Sequence, residues 1–137
     1  MIKTESDEII VRSLLKEETS FCDCDISAAV FTDGGSEGCF AVVSKESKRI
    51  IGVILCPEEE LTITIKESER DRGYGAQALT LALQLLFGVF ARKKVTAICG
   101  KEQLPAVKTL LSCGMNRVKE TERQIYWSLT MEEWELL

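Results

Sequence analysis

The segment from Ala76 to Phe90, AQALTLALQLLFGVF, constrains the fold more than any other part of the chain. Gln77, Thr80, Gln84 and Gly88 alone break it. A helix built from it is apolar almost all round, so it must be buried on more than one side. It is also shorter than the roughly 20 apolar residues a membrane span needs. The helix is predicted from Gly73 to about Arg92, with Arg92, Lys93 and Lys94 complementing the negative end of its dipole. Leu61-Thr62-Ile63-Thr64-Ile65 precedes it as a strand with a threonine face, which should meet solvent or a ligand. The buried run Val95–Cys99 follows it. Two strands joined by a helical crossover are expected to run parallel.

The remaining elements form around this unit. Glu8–Leu15 reads as a first strand, with a β-branched cluster at its centre. A weak helical pattern covers Lys16–Phe31 and ends in the turn TDGGSEG. Phe40–Leu55 reads as a hairpin turning at Ser44–Lys48, and the charged loop CPEEE follows because Pro57 ends the ladder. A second helix, Gln103–Cys113, should stop at Gly114, and Asn116–Glu120 and Arg123–Leu129 close the chain as strands. The 137 residues therefore suggest a single α/β domain, 1–137, with a mixed sheet.

Composition narrows the function. A net charge of −5 argues against a nucleic-acid backbone as partner. The N-terminal MIKTESDEII lacks the apolar core of an export signal, so a cytoplasmic, soluble protein with no membrane partner is expected. The six cysteines then read as reduced small hydrophobes rather than bridges, and Cys22/Cys24 form C-x-C rather than the C-x-x-C of zinc sites. The chain contains no histidine, which excludes Ser-His and Cys-His nucleophiles and leaves proton transfer to carboxylates, Tyr, Lys, Cys or water. No metal is expected.

The strand-to-helix junction, Arg70-Asp71-Arg72-Gly73-Tyr74-Gly75, admits three readings. The glycines could simply allow a tight turn and close helix–sheet packing. Gly73 to Ala78 also satisfies the dinucleotide pattern G-x-G-x-x-A, but KESERDR separates strand from glycine where that fold joins them almost directly. The third reading is a pyrophosphate cradle: helix-start N–H groups are unpaired, and glycines let phosphate oxygens approach. Lys66–Arg72 holds three basic and three acidic residues, so oriented amides rather than bulk charge would be the attractor.

Arg70-x-x-Gly73-x-Gly75, after a strand and opening a helix, resembles the R/Q-x-x-G-x-G/A acetyl-CoA motif of the GNAT N-acetyltransferases. VRSLL is similar to that family's first strand, and SKESKRIIGVIL to its second hairpin. Glu60 stands where many members carry an acid, Ala106 and Gly114 keep the spacing of a later helix, and IYWSLTMEEW resembles the last strand of the ribosomal-protein-alanine acetyltransferase branch. The resemblance runs from Glu8 to the end of the chain. It implies a GNAT-like, mostly antiparallel mixed sheet with central splayed parallel strands and flanking helices. It also implies transfer of an acetyl group from acetyl-CoA to a primary amine, on a small molecule, a peptide or a protein N-terminus, by direct attack.

The resemblance further implies roles. The backbones of Ile63 and Ile65 would hold the pantetheine arm, with the Ile63 N–H polarising the acetyl carbonyl. Oxyanion donors of this kind contribute roughly 3–4 kcal/mol. Amides from Arg70 through Asp71, Arg72, Gly73, Tyr74 and Gly75 to Ala76 would hold the pyrophosphate, and Gln103 takes the family's asparagine position. Glu60, with Glu59 as the register alternative, would take the amine proton, because such amines are protonated near neutral pH. The chain departs from the pattern at Leu110, where many members have a tyrosine that protonates the leaving thiolate, and at Met115. Ser112 has no activating partner, Tyr126 is the other hydroxyl that could reach the cleft, and Tyr74 reads as structural. A short 16–38 region implies an open acceptor cleft or one completed by a second copy, as a homodimer. A non-catalytic acyl-CoA-binding module on the same fold is the alternative.

Overall fold

The computed structural model describes residues 3–15, 38–70 and 72–137. The helix expected over 16–31, the glycine turn over 32–37, Cys22, Cys24 and Asp71 lie outside the described residues. Five strands form one antiparallel sheet in sequence order: β1 (Lys3–Glu5), β2 (Ile9–Ser13), β3 (Cys39–Ser44), β4 (Ile50–Leu55) and β5 (Thr62–Ile65). β2 is the strand expected at Glu8–Leu15, and β3 and β4 are the expected hairpin. β1 carried no strand signal, since two charged residues flank Thr4 with no apolar alternation. It is placed by pairing with β2, and Thr4 Oγ1 donates to the Leu81 carbonyl at 3.1 Å.

The apolar segment forms α1 (Tyr74–Gly88), whose buried residues include Leu81, Ala82, Leu83, Leu85, Leu86 and Phe87. They cover most of its circumference but not all of it: Gln77, Thr80, Gln84 and Gly88 share one stripe, on which Thr80, Gln84 and Gly88 are exposed, because the 3.6-residue period gathers the few polar positions on one face. It packs on β1, β2 and β5 and against α2 (Leu104–Ser112). It stops four residues short of the predicted Arg92. Gly88 and β-branched Val89 are poor helix formers, and Val89 and Phe90 both donate to the Leu85 carbonyl, at 3.0 and 2.9 Å. Ala91, with φ 53°, then turns the chain away.

The second sheet holds β6 (Lys94–Gly100), β7 (Asn116–Glu120) and β8 (Gln124–Thr130) in the order β6-β8-β7, all antiparallel. The single mixed sheet expected from the crossover is therefore two antiparallel sheets. β5 and β6 run parallel, as the crossover requires, but meet at one bridge, Glu60 to Thr96. One edge of β6 is paired with β8 along its whole length, and its other edge meets the first sheet only at Thr96.

α2 ends as predicted. The Gly114 N–H donates to Leu111 O and the Met115 N–H to Leu110 O, both at 3.1 Å, a Schellman closure with Gly114 at φ +87°. A Cβ there would also lie 2.6 Å from the Leu137 side chain. Gly114→Ala is expected to lower the unfolding free energy by about 1–3 kcal/mol, measured by urea denaturation. The short α3 (Met131–Glu135) was not anticipated, although Thr130 and Glu133 form a capping box that the T-x-x-E spacing encodes. Its Trp134 stacks on Phe87 at 5.4 Å. Among the described residues no helix is long and apolar enough to cross a membrane.

Candidate active site

The alternation of β5 decides which way its backbone faces. Lys66 N donates to Ile51 O at 2.7 Å, and the register pairs Gly52 with Ile65 and Ile54 with Ile63. In an antiparallel ladder hydrogen-bonded and non-bonded pairs alternate, so Thr62, Thr64 and Lys66 turn their polar groups to β4. Ile63 and Ile65 turn theirs the other way, towards β6. At the bridge, Leu61 N donates to Thr96 O at 2.7 Å and Thr96 N to Glu59 O at 2.8 Å. By the same parity Ile98 faces β5. Beyond the bridge no ladder forms, so Ile63 and Ile98 present main-chain donors and acceptors without a strand partner.

Side chains flank the far end of this gap. Arg70 Nε donates to the Ile65 carbonyl at 2.9 Å. On the opposite edge Gln103 Oε1 accepts from Gly100 N at 2.7 Å. Between the two edges lies a groove of about 550 Å³, lined by Leu61–Ile65, by Ala97–Cys99 and by Ala106, Thr109 and Leu110 of α2. It continues into a second hollow of about 520 Å³ over the start of α1, lined by Glu69, Gly73, Tyr74 and Ala76. Ile65, Arg70, Gly75, Gln103, Pro105, Ala106 and Thr109 line both, so they form one channel.

The floor of the second hollow is an uncapped helix start. Gly73 occupies the N-cap with φ 79° and supplies no side-chain acceptor; the first helical bond is from Gln77 N to Gly73 O at 3.4 Å. The N–H groups of Tyr74, Gly75 and Ala76 therefore have no acceptor within the helix. A Cβ on Gly75 would meet nothing within 4 Å, and its φ lies outside the left-handed region. Neither turn geometry nor packing requires glycine there. Gly52 is the contrast, since a Cβ on it would lie 2.5 Å from the Thr64 carbonyl. Close packing explains Gly52, the turn explains Gly73, and Gly75 is left with open space in the channel.

The other predicted residues distribute as follows. Ile63 and Ile65 are half-buried on the channel wall, and Tyr74 is buried in the core at the edge of the second hollow. Arg72 lies outside the channel and pairs with Glu69 at 3.5 Å. Glu60 is exposed at the bridge that closes the channel's upper end, on the same face as Thr96. The hydroxyls considered for proton delivery are elsewhere. Tyr126 donates to Gln124 at 3.3 Å beneath Lys119, and Ser112 donates to Thr109 O at 2.8 Å beside a different groove. Apolar Leu110 stands in the channel wall. Among the described residues no three Cys, Asp or Glu side chains gather as a metal site.

Sequence reasoning missed one contact. Arg92 Nη1 donates to the Glu58 carbonyl in the loop that carries Glu60. Beneath that loop the buried Cys56 thiol approaches the Glu59 and Glu58 carbonyls at 3.5 and 3.8 Å. Burial pushes its pKa up to about 11 against the opposing charge of Arg92. The excess of cations at positions 92–94 was visible, but it fitted a helix end equally well.

No protein-family model and no curated protein sequence matches the chain. Solved structures do. A GNAT-family acetyltransferase from Bacillus anthracis superimposes with a TM-score of 0.76 at 15% identity, over 96% of this chain and 99% of that one. A ribosomal-protein-alanine acetyltransferase from Vibrio fischeri gives 0.78 at 14% identity, over 98% and 99%. The dodecameric spermidine N-acetyltransferase from Vibrio cholerae gives 0.75 at 14% identity, over 94% and 97%. The chain has the fold of the GNAT acetyltransferases along nearly its whole length.

Proposed function

We propose that the chain is an acetyl-CoA-dependent N-acetyltransferase that acts on a primary amine. The observation that carries this reading is the unpaired edge of β5, which lines one channel with the uncapped start of α1, where Gly73 and Gly75 carry no Cβ. An extended chain with amides, such as pantetheine, supplies the missing strand, and its pyrophosphate meets the helix N-terminus. In this reading β5 and β6 are the splayed parallel strands. Ile63 and Ile65 bind the pantetheine, the amides of Gly73 to Ala76 bind the pyrophosphate, and the Arg70 guanidinium, which lines the channel, adds positive charge. Gln103 sets the far wall. The Ile63 N–H, free of a strand partner, is aimed where a thioester oxygen gains charge during attack. Glu60 accepts the amine proton, directly or through water. No side chain of the channel is assigned to the leaving thiolate.

The acceptor is assigned only as a primary amine. Three acids, Glu58, Glu59 and Glu60, are exposed at the upper end of the channel and favour a cationic one. The second reading, an acyl-CoA-binding module without turnover, is favoured by Leu110 in the channel wall. Acetyl-CoA at a hundredfold excess over its Kd is expected to raise the melting temperature by on the order of 10 °C. No shift at millimolar acetyl-CoA or CoA would refute both readings. A shift without CoA release across a panel of polyamines, peptides and small amines would leave the binding module.

A further inference from the structure

The loop Pro57–Glu60 joins β4 to β5 with all four residues exposed, three of them acids. Like charges on adjacent residues repel, and an exposed loop of this kind does not hold one geometry unaided. It is nonetheless fixed from two sides. From β6, Thr96 holds the Glu59 carbonyl and the Leu61 amide, at 2.8 and 2.7 Å. From beyond α1, the Arg92 guanidinium holds the Glu58 carbonyl.

The chain is shaped to deliver that guanidinium. α1 has ended at Gly88, and the positive φ of Ala91 reverses the backbone. The Arg92 amide closes on Leu86 O at 2.9 Å, which supplies the helix end through the backbone and leaves the side chain for the loop. Hydrogen bonds from an ionised donor are roughly twice as strong as neutral ones. The same charge lies near enough to the Cys56 thiol to oppose the rise in its pKa.

We infer that Arg92 is a positioning residue: by holding the Glu58 carbonyl it fixes where the Glu60 carboxylate stands beside the bridged end of the channel. This rests on Glu60 being the base. It makes α1 a spacer of about 22 Å between the two halves of the reaction, with the pyrophosphate cradle at its N-terminus and the base loop tied at its C-terminal end.

Arg92→Met keeps the stem and removes the donors; Arg92→Lys restores one donor and the charge. For Arg92→Met the expected result is a kcat roughly tenfold to a hundredfold lower, with KM for acetyl-CoA and the CoA-induced thermal shift unchanged. Arg92→Lys should recover most of the loss. Glu60→Gln combined with Arg92→Met should be no slower than Glu60→Gln alone, because both act through one carboxylate. Hydrogen exchange supplies a readout independent of turnover: the Leu61 and Thr96 amides should exchange faster in Arg92→Met. Wild-type protection of those amides, or losses that multiply in the double variant, would overturn the inference while leaving the acetyltransferase reading intact. A variant that unfolds together with Arg92→Lys would assign Arg92 to stability and overturn it as well. Absence of acetyl-CoA binding by the wild-type chain would instead remove the functional reading itself.

Discussion

Gly75→Val is expected to abolish acetyl-CoA binding without destabilising the protein. The two halves of that statement have separate causes. The Cβ of residue 75 projects into open space, and its backbone conformation is accessible to any L-residue. The free protein should therefore change by no more than about 0.5 kcal/mol, as for an ordinary surface substitution. The same space lies in the channel, over three helix amides that have no acceptor within α1. Filling it keeps phosphate oxygens from those amides and forfeits their combined charge-assisted bonds, each worth about 1.5–3 kcal/mol. Gly75→Ala should fall between wild type and Val. Calorimetric titration with CoA, alongside urea denaturation of the free variants, measures both halves. A Val variant that still binds CoA within twofold of wild type would place the ligand elsewhere. One that fails to fold would show that packing explained Gly75 after all.

Why this position and not Gly73 follows from what sequence can and cannot encode. The spacing of the two glycines was plain, but a glycine in sequence does not say whether it serves φ, packing or a ligand. Only placement separates them: Gly73 has φ 79°, and Gly75 has neither a special φ nor a neighbour. The helix itself was legible from its long apolar run, although the narrow stripe of Gln77, Thr80, Gln84 and Gly88 that it leaves to solvent was not, and Gly114 because a C′ glycine is a specific helix-end signal. The gap between β5 and β6 was not legible from alternation. A strand that ends its ladder after one bridge has the same residues as one that continues. β1 and the Arg92 contact failed for a related reason, since each is fixed by a partner outside its own segment rather than by its own pattern: β1 by pairing with β2 and by the Thr4–Leu81 bond, Arg92 by the Glu58 carbonyl.

Glu60→Gln should lower kcat by about a hundredfold at neutral pH and leave acetyl-CoA affinity unchanged. The carboxamide is isosteric and its backbone bridge to Thr96 is retained, so the channel is undisturbed. What disappears is the acceptor for the proton of the incoming amine. A lysine-like amine has a pKa near 10.4, so at pH 7 only about one molecule in a few thousand is neutral in bulk solution. The deficit of the variant should therefore shrink as pH rises towards the pKa of the amine, where the substrate arrives deprotonated and needs no base. The register alternative supplies the control. Glu59 contributes its carbonyl to Thr96, and Glu60 is the residue paired with Thr96 at the bridge, so Glu59→Gln should be close to neutral. Rates for the three proteins across pH 7–10, with acetyl-CoA saturating, decide the assignment. A loss in Glu59→Gln that matches Glu60→Gln, or a deficit in Glu60→Gln that is constant with pH, would take the base role from Glu60. The predicted pattern makes Glu60 the residue that links the donor channel to the amine.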